Sequence, residues 1–396
     1  MTSRQPRRLV LKTALGLIAA ASGAAAWAAD TGPIKIGLIL PMTGQSASTG
    51  RQIDAAVKLW MAQNGNKIAG RTVEVILKDD GAVPDATKRI AQEMIVNDKV
   101  EVIAGFGITP TAFATAPLAT QSKTPMVVMA AATSSITQAS PYIVRTSFTL
   151  PQVTIGIADW AAKNKIKKAV TLVADYGPGF DAEKFFDSQF RLDGGQILDK
   201  LRTPLKAPDF APVLQKVIDA KPDALFVFLP SGQGASFMKQ FAERGLDKSG
   251  IRLIATGDVT DDDQLNDMGD VAIGVINSHH YSAAHPSATN KKFVAAFEAA
   301  NKFRPNFMAV GGYDGMRVIY KALEATKGAG GEALLNAMKG QIFESPRGPV
   351  LIDAQTRDIV QDVYIRKVER VPAMGNQLYN VEFDVIKAVK DPGKAK

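Results

Sequence analysis

The chain has 396 residues, 46% apolar and 22% charged, with 33 Gly and 21 Pro, the balance of an ordinary folded protein of about two domains. It contains no cysteine, which excludes thiolate nucleophiles, cysteine-ligated zinc or iron–sulfur centres and disulfide chemistry, and it has only 3 histidines. The formal charge of +8 would suit a polyanionic partner only if it sat on the folded surface.

It does not. Residues 1–28 carry Arg4, Arg7, Arg8 and Lys12 and no acid, and taking these four cations from +8 leaves +4. The apolar run Thr13 to Ala26 then leads into Ala26-Trp27-Ala28, small residues where a signal peptidase reads them. Spanning hydrocarbon takes about 20 strongly apolar residues, and this run is shorter and mostly alanine. Residues 1–28 are therefore expected to be a cleaved export signal, with Arg7-Arg8 compatible with the twin-arginine or the general route. No second run of spanning length follows, so the mature chain is expected in the periplasm, not inserted in a membrane. It has no basic-aromatic stripe, which argues against nucleic acid.

From Ile34 the chain alternates β-branched runs with helical patterns. Strand Ile34 to Leu40 is stopped by Pro41, and Ile53, Val57, Trp60 and Met61 then form one stripe of a helix. A strand Thr72 to Leu77, a helix with Ile90, Ala91, Met94 and Ile95 inward, a strand Val100 to Ala104, a helix from Pro110 and a strand Met126 to Met129 follow. Repeated β-α units predict a parallel sheet with helices on both faces. The rhythm restarts after Pro151, with strands Ala169 to Ala174, Gln196 to Leu201, Ala224 to Leu229 and Leu253 to Thr256 separated by helices, which predicts a second sheet. A run Val271 to Ile276 and helices over 290–301 and 313–326 come next. Gly348 to Ile352 and Val360 to Val368 read as an antiparallel pair, and Lys390 to Lys396 as a frayed tail.

Parallel sheets place ligands beyond the carboxyl ends of their strands, at the N-termini of the following helices. That rule selects Gly105 to Thr111, where Thr109 and Pro110 suit a helix start, and Ala130 to Ser135, small and hydroxyl-bearing residues that admit close backbone approach. Both loops suit a carboxylate; the plainer alternative is that Thr109 and Thr133 only cap helices. Phe106, Tyr176, Phe180, Phe228 and Tyr281 fall near strand ends, where they would serve an apolar ligand body or the core.

Several segments in order, Ile34 to Thr49, Lys78-Asp79-Asp80, Gly105 to Ala116, Ala130 to Thr137, Tyr142 to Thr146, Tyr176-Gly177 and Gly348 with its strand, resemble the type I periplasmic solute-binding proteins of the branched-chain amino acid group. The resemblance implies an α/β fold of two doubly wound parallel-sheet lobes joined by three crossovers. It places lobe one at 29–149 and 281–345, lobe two at 150–280 and 346–389, and leaves 390–396 as a disordered tail. It implies no cofactor and no enzymatic activity: a monomer closes on a small carboxylate and delivers it to the membrane permease of an ABC transporter. By the same resemblance Thr109, Ala131 and Thr133 hold the carboxylate, with Ile108 beside them. Thr49 lies near the ligand's apolar end, and Tyr176, Ser231 and Asp258 face it from lobe two. The family's amino-acid binders carry an aromatic residue in the loop that here reads Leu229 to Gln233 and a glutamate near Asp258, and Gly257 competes with Asp258 for that position. Hydrophobic amino acids and amine-free aromatic acids therefore both stay open as ligands.

Other signals point elsewhere. His279, His280 and His285 sit on one short stretch without a metal-binding spacing, which reads as a lobe crossover. Asp258, Asp261, Asp262 and Asp263 lack the glycine and closing glutamate of a calcium loop and read as a solvated helix start. Gly328 to Gly331 reads as a linker, and Arg145 as a structural partner at the first crossover rather than an anion clamp. A ligand sensor without a permease is the alternative function, and a hydrolase the third, disfavoured by the missing catalytic set.

Overall fold

The computed structural model describes residues 1–2 and 32–394, so the expected export signal lies outside the described residues. The first sheet holds β1 (Ile34–Leu40), β2 (Lys67–Ile68), β3 (Arg71–Asp79), β4 (Val102–Gly105), β5 (Met126–Val128) and β6 (Ile143–Arg145), in the order β2-β3-β1-β4-β5-β6. All neighbours but β2 and β3 pair in parallel, and β1 sits at the centre because Ile34, Ile36, Leu38, Ile39 and Leu40 are wholly buried. Gly37 leaves room there for Met94, since a Cβ would stand 2.7 Å from its sulfur.

The second sheet holds β7 (Lys168–Ala174), β8 (Gln196–Thr203), β9 (Ala224–Phe228), β10 (Arg252–Thr256), β11 (Ile276–His279), β12 (Ile342–Ser345), β13 (Gly348–Ile352), β14 (Ile359–Val371) and β15 (Gln377–Val389). Its order is β12-β13-β14-β11-β10-β9-β7-β8, with β15 also on β14. Strands β7 to β11 pair with one another in parallel, β14 joins β11 antiparallel, and β12 to β15 pair antiparallel. The expected pair at 348–352 and 360–368 is present, but β15 had no counterpart in the sequence reading, although Val381, Phe383 and Val385 alternate with Asn380, Glu382 and Asp384.

The chain passes between the sheets three times, after β6, after β11 and before β12. Strand β12, expected in lobe one, pairs with β13 in the second sheet, so the third passage falls ahead of 342. The first passage is fixed by buried charge. Arg145 is wholly buried with its Nε 2.8 Å from Asp358, and Arg347 lies 2.8 Å from Asp314 while donating to the carbonyls of Thr146 and Ser147. The frayed tail is corrected through Lys394. Buried Asp391 accepts from Ser134 and Thr149, and Lys394 pairs with Asp358, so these groups find partners that water would otherwise supply.

Candidate ligand-binding site

One cavity lies between the carboxyl ends of strands from both sheets. From the first sheet it takes Ser46 and Thr49 after β1, Gly107, Ile108 and Thr109 after β4, and Ala130, Ala131 and Ala132 after β5. From the second it takes Tyr176 and Pro178 after β7, Phe228, Pro230 and Ser231 around the end of β9, and Asp258 after β10. Phe148 and Leu150 of the first passage and Met308 complete the lining. The topology alone produces this convergence, because parallel strands bring all their carboxyl ends to one edge.

Tight turns aim the first wall. Gly105 has φ +111° and its Cβ would meet the Ile39 carbonyl oxygen at 2.2 Å; Phe106 follows at φ 65° and is wholly buried. This bend turns the chain away from β4 and seats Gly107 on Pro41, leaving Thr109 as the first residue of helix Thr109–Ser122. Neither Thr109 nor Thr133 caps a helix with its side chain. Their hydroxyl oxygens lie 3.0 Å apart instead, so one donates to the other and the second proton remains to donate onward. The Ala131 N–H donates to the Phe106 carbonyl, which removes it as a carboxylate donor; Ala131 contributes only its small side chain and position. Thr133 stands one shell back, bonded to Thr109 rather than lining the cavity.

The second wall brings another helix end to the same place. Helix Gly177–Leu192 begins against the threonine pair, and a Cβ on Gly177 would lie 2.7 Å from the Thr133 hydroxyl oxygen. Asp181, in the second turn of this helix, accepts from the Ser134 N–H at 2.8 Å. Two helix N-termini thus meet at Thr109 and Thr133, and their unpaired N–H groups and dipoles favour an anion there. Along the cavity, Tyr176 stacks on Phe228 with ring centres 6.1 Å apart and planes at 20°. Desolvation, and then the nearby Asp258 carboxylate, raises the Tyr176 phenol well above its ordinary range.

Asp258 rather than Gly257 lines the cavity, and Gly257 is confined because a Cβ would strike Arg366 at 1.8 Å. Asp258 is 3% exposed, and its Oδ2 lies 3.4 Å from His279 Nε2. Burial pushes His279 down to about 4, against the opposing pull of Asp258, so the imidazole is neutral near pH 7. His279 and His280 pack against Phe148 at 4.6 and 4.9 Å between ring centres, and His285 bonds Glu382 at 2.8 Å.

The solvated helix start expected at 258–263 is corrected: Asp258, Asp261 and Asp262 are buried. Asp261 accepts from Asn306 at 2.9 and 3.0 Å and from Ser231, while Asp263 accepts from Ser48 at 2.5 Å and from Arg51 at 2.8 Å. These acids tie the second sheet's loops to helices that pack on the first. Of the aromatics expected near strand ends, Tyr176 and Phe228 line the cavity; Phe106 and Tyr281 are core, and Phe180 is exposed beneath Arg202. The sequence reading missed Phe148, Leu150 and Met308. Phe148 and Leu150 adjoin the Arg145-Thr146 pair that marks the passage, whereas Met308 precedes the helix start expected at Tyr313.

Comparison with known proteins agrees with this geometry. The chain is 43% identical over 387 residues to the Leu/Ile/Val-binding protein homolog 6 of Brucella abortus, covering 96% of this chain and 98% of that protein. A solute-binding protein of an ABC transporter from Rhodopseudomonas palustris BisB5, solved in complex with 3,4-dihydroxybenzoic acid, superposes with TM-score 0.90 at 63% identity, over 92% of this chain and 99% of that one. A second R. palustris solute-binding protein, in complex with 4-hydroxybenzoate, gives TM-score 0.88 at 41% identity, over 91% and 99%. Residues 33–374 match the family model of the periplasmic binding proteins, and with two sheets of this order closing on one cavity, the chain belongs to that family and is a solute-binding protein.

Proposed function

We propose that the protein captures a small aromatic carboxylate in the periplasm and presents it, as a monomer, to the permease of an ABC transporter. The observation that carries this reading is the polarity of the cavity. Two helix N-termini and the Thr109–Thr133 pair form an anion seat at one end, and the parallel rings of Tyr176 and Phe228 wall the body. An aromatic acid presents a carboxylate to the first and a flat face to the second. The solved relatives that hold hydroxybenzoates support the same class. Lobe one (32–149 and 281–341) would carry the Thr109–Thr133 pair and the first helix N-terminus, and lobe two the second helix N-terminus and the facing wall. Closure follows from the ligand's contact with both, which favours the closed arrangement by its differential affinity. In this reading no bond is made or broken.

A second reading, an aliphatic amino acid, is favoured by the buried carboxylate of Asp258, which would pair an ammonium, and by the name of the Brucella relative. A thermal-shift panel separates them. Ligand at 100 times its Kd adds ~2.7 kcal/mol to stability, so benzoates should raise the melting temperature while leucine, isoleucine and valine leave it unchanged. A rise with the amino acids alone contradicts the proposal.

A further inference from the structure

Asp258 Oδ2 is an acceptor without a donor. Its side chain lines the cavity and is 96% buried, yet Oδ2 has no hydrogen bond within the protein, and His279 Nε2 stands 3.4 Å away. A buried carboxylate left in this state is costly, so the geometry calls for a donor that arrives with the ligand. Asp258 follows β10 of the second sheet, whereas the anion seat is centred on Thr109 of the first, and a ligand anchored at the seat would turn its far end toward the second sheet's loops.

Resting on the aromatic-acid reading, we propose that Asp258 is the specificity-determining residue: it accepts a hydrogen bond from a hydroxyl on the ring end opposite the carboxylate, and His279 positions it. The ligand class is then para-hydroxylated aromatic acids, with the bare acid rejected because it leaves Asp258 unpaired. His279 is held for this role by its surroundings. It is wholly buried among Phe148, Phe307 at 4.2 Å and His280, and its neutral imidazole, 3.4 Å from Oδ2, orients the carboxylate without bonding it, so Oδ2 still accepts from the ligand. Arg366, fixed by Asn277 at 2.7 Å and by the Tyr281 carbonyl, places a buried positive charge behind the loop, so the carboxylate is tolerated without a cation in the cavity. That arrangement suits a neutral hydroxyl donor better than an ammonium, which would add a second positive charge.

The test is calorimetric titration of ligand-free protein with benzoate, 3-hydroxybenzoate and 4-hydroxybenzoate. Wild type should bind 4-hydroxybenzoate at least about tenfold more tightly than benzoate, in keeping with one hydrogen bond to a charged group. Asp258→Ala should bring the two acids within about threefold, by weakening 4-hydroxybenzoate and relieving the penalty on benzoate. His279→Ala should lower the preference and His279→Gln, which keeps a donor, should restore it. Equal affinity of wild type for benzoate and 4-hydroxybenzoate overturns the proposal, as does a parallel loss of both acids in Asp258→Ala. Should that variant not fold, Asp258→Asn replaces it and must reduce the preference. Failure of the underlying reading is distinct: wild type would then bind none of the three acids, and the proposal falls with it.

Discussion

Gly177 of the second lobe touches Thr133 of the first so closely that a single Cβ would stand 2.7 Å from the threonine hydroxyl oxygen and 3.4 Å from Thr109 Cγ2. The absence of a side chain at Gly177 lets the two helix N-termini close over the anion seat. Gly177→Ala should therefore hold the lobes apart and weaken ligand binding by about tenfold or more. It should leave the ligand-free melting temperature nearly unchanged, since alanine is well tolerated in the first turn of a helix. Calorimetry and thermal denaturation on the same variant check this, and wild-type affinity would show that closure does not need the contact.

The threonine pair divides its work unequally. Thr109 lines the cavity and Thr133 supports it through the 3.0 Å bond between their hydroxyls. Thr109→Ala should weaken binding by roughly 1–2 kcal/mol, as for a hydrogen bond to a carboxylate, and Thr133→Ala by less. The reverse order in titration would move the seat toward Thr133.

Most of the fold was legible in the sequence because β-α units write themselves as alternating periods, and β1 to β10 fall near the expected runs except the short β2 and β6, whereas the run expected at 271–276 opens in a 3-10 turn and shares only Ile276 with β11. The helix at the second lobe's seat was expected from Asp181 but starts at Gly177, since Pro178 and the glycines around it hide a helix start from propensity alone. Of the eight expected site residues, Thr49, Ile108, Thr109, Ala131, Tyr176, Ser231 and Asp258 line the cavity. Strand-end loops are easy to place; which group in a loop is already spent is not. The Ala131 N–H bonds Phe106, and only the three-dimensional turn at Gly105 reveals it. Likewise nothing local predicts burial of Asp258, Asp261 and Asp262, whose partners Asn306, Asn380 and His279 are far away in the chain or on another strand.

Asp358 serves two buried cations, Arg145 and Lys394. Asp358→Ala would leave Arg145 buried without a carboxylate and Lys394 with only the Asp391 carboxylate, at 3.5 Å, and chemical denaturation should register a loss of about 3–5 kcal/mol, while removal of residues 391–396 costs less because Arg145 keeps its partner. Equal stability of Asp358→Ala and wild type would show that the backbone carbonyls around Arg145 and the Asp391 carboxylate beside Lys394 suffice for these charges.

His279 gives the protein a pH dependence of defined sign. Its ordinary value is 6.5 and burial lowers it to about 4 in the folded chain, so between these values the unfolded chain binds the extra proton. Stability should be intact above about pH 6.5 and fall progressively toward pH 4, with His279 contributing up to about 3 kcal/mol of the loss. Melting temperatures across this range should fall less steeply in His279→Gln than in wild type. Parallel curves would mean that the ring is hydrated or that other groups control the acid limb.

The central claim is that the cleft between the two sheets selects an aromatic acid over an aliphatic amino acid. Side-by-side calorimetric titration of ligand-free protein with 4-hydroxybenzoate and with leucine tests it most directly. Saturable one-to-one binding of 4-hydroxybenzoate, with leucine weaker by about a hundredfold or more, is the predicted result, and leucine bound more tightly than the aromatic acid would contradict it.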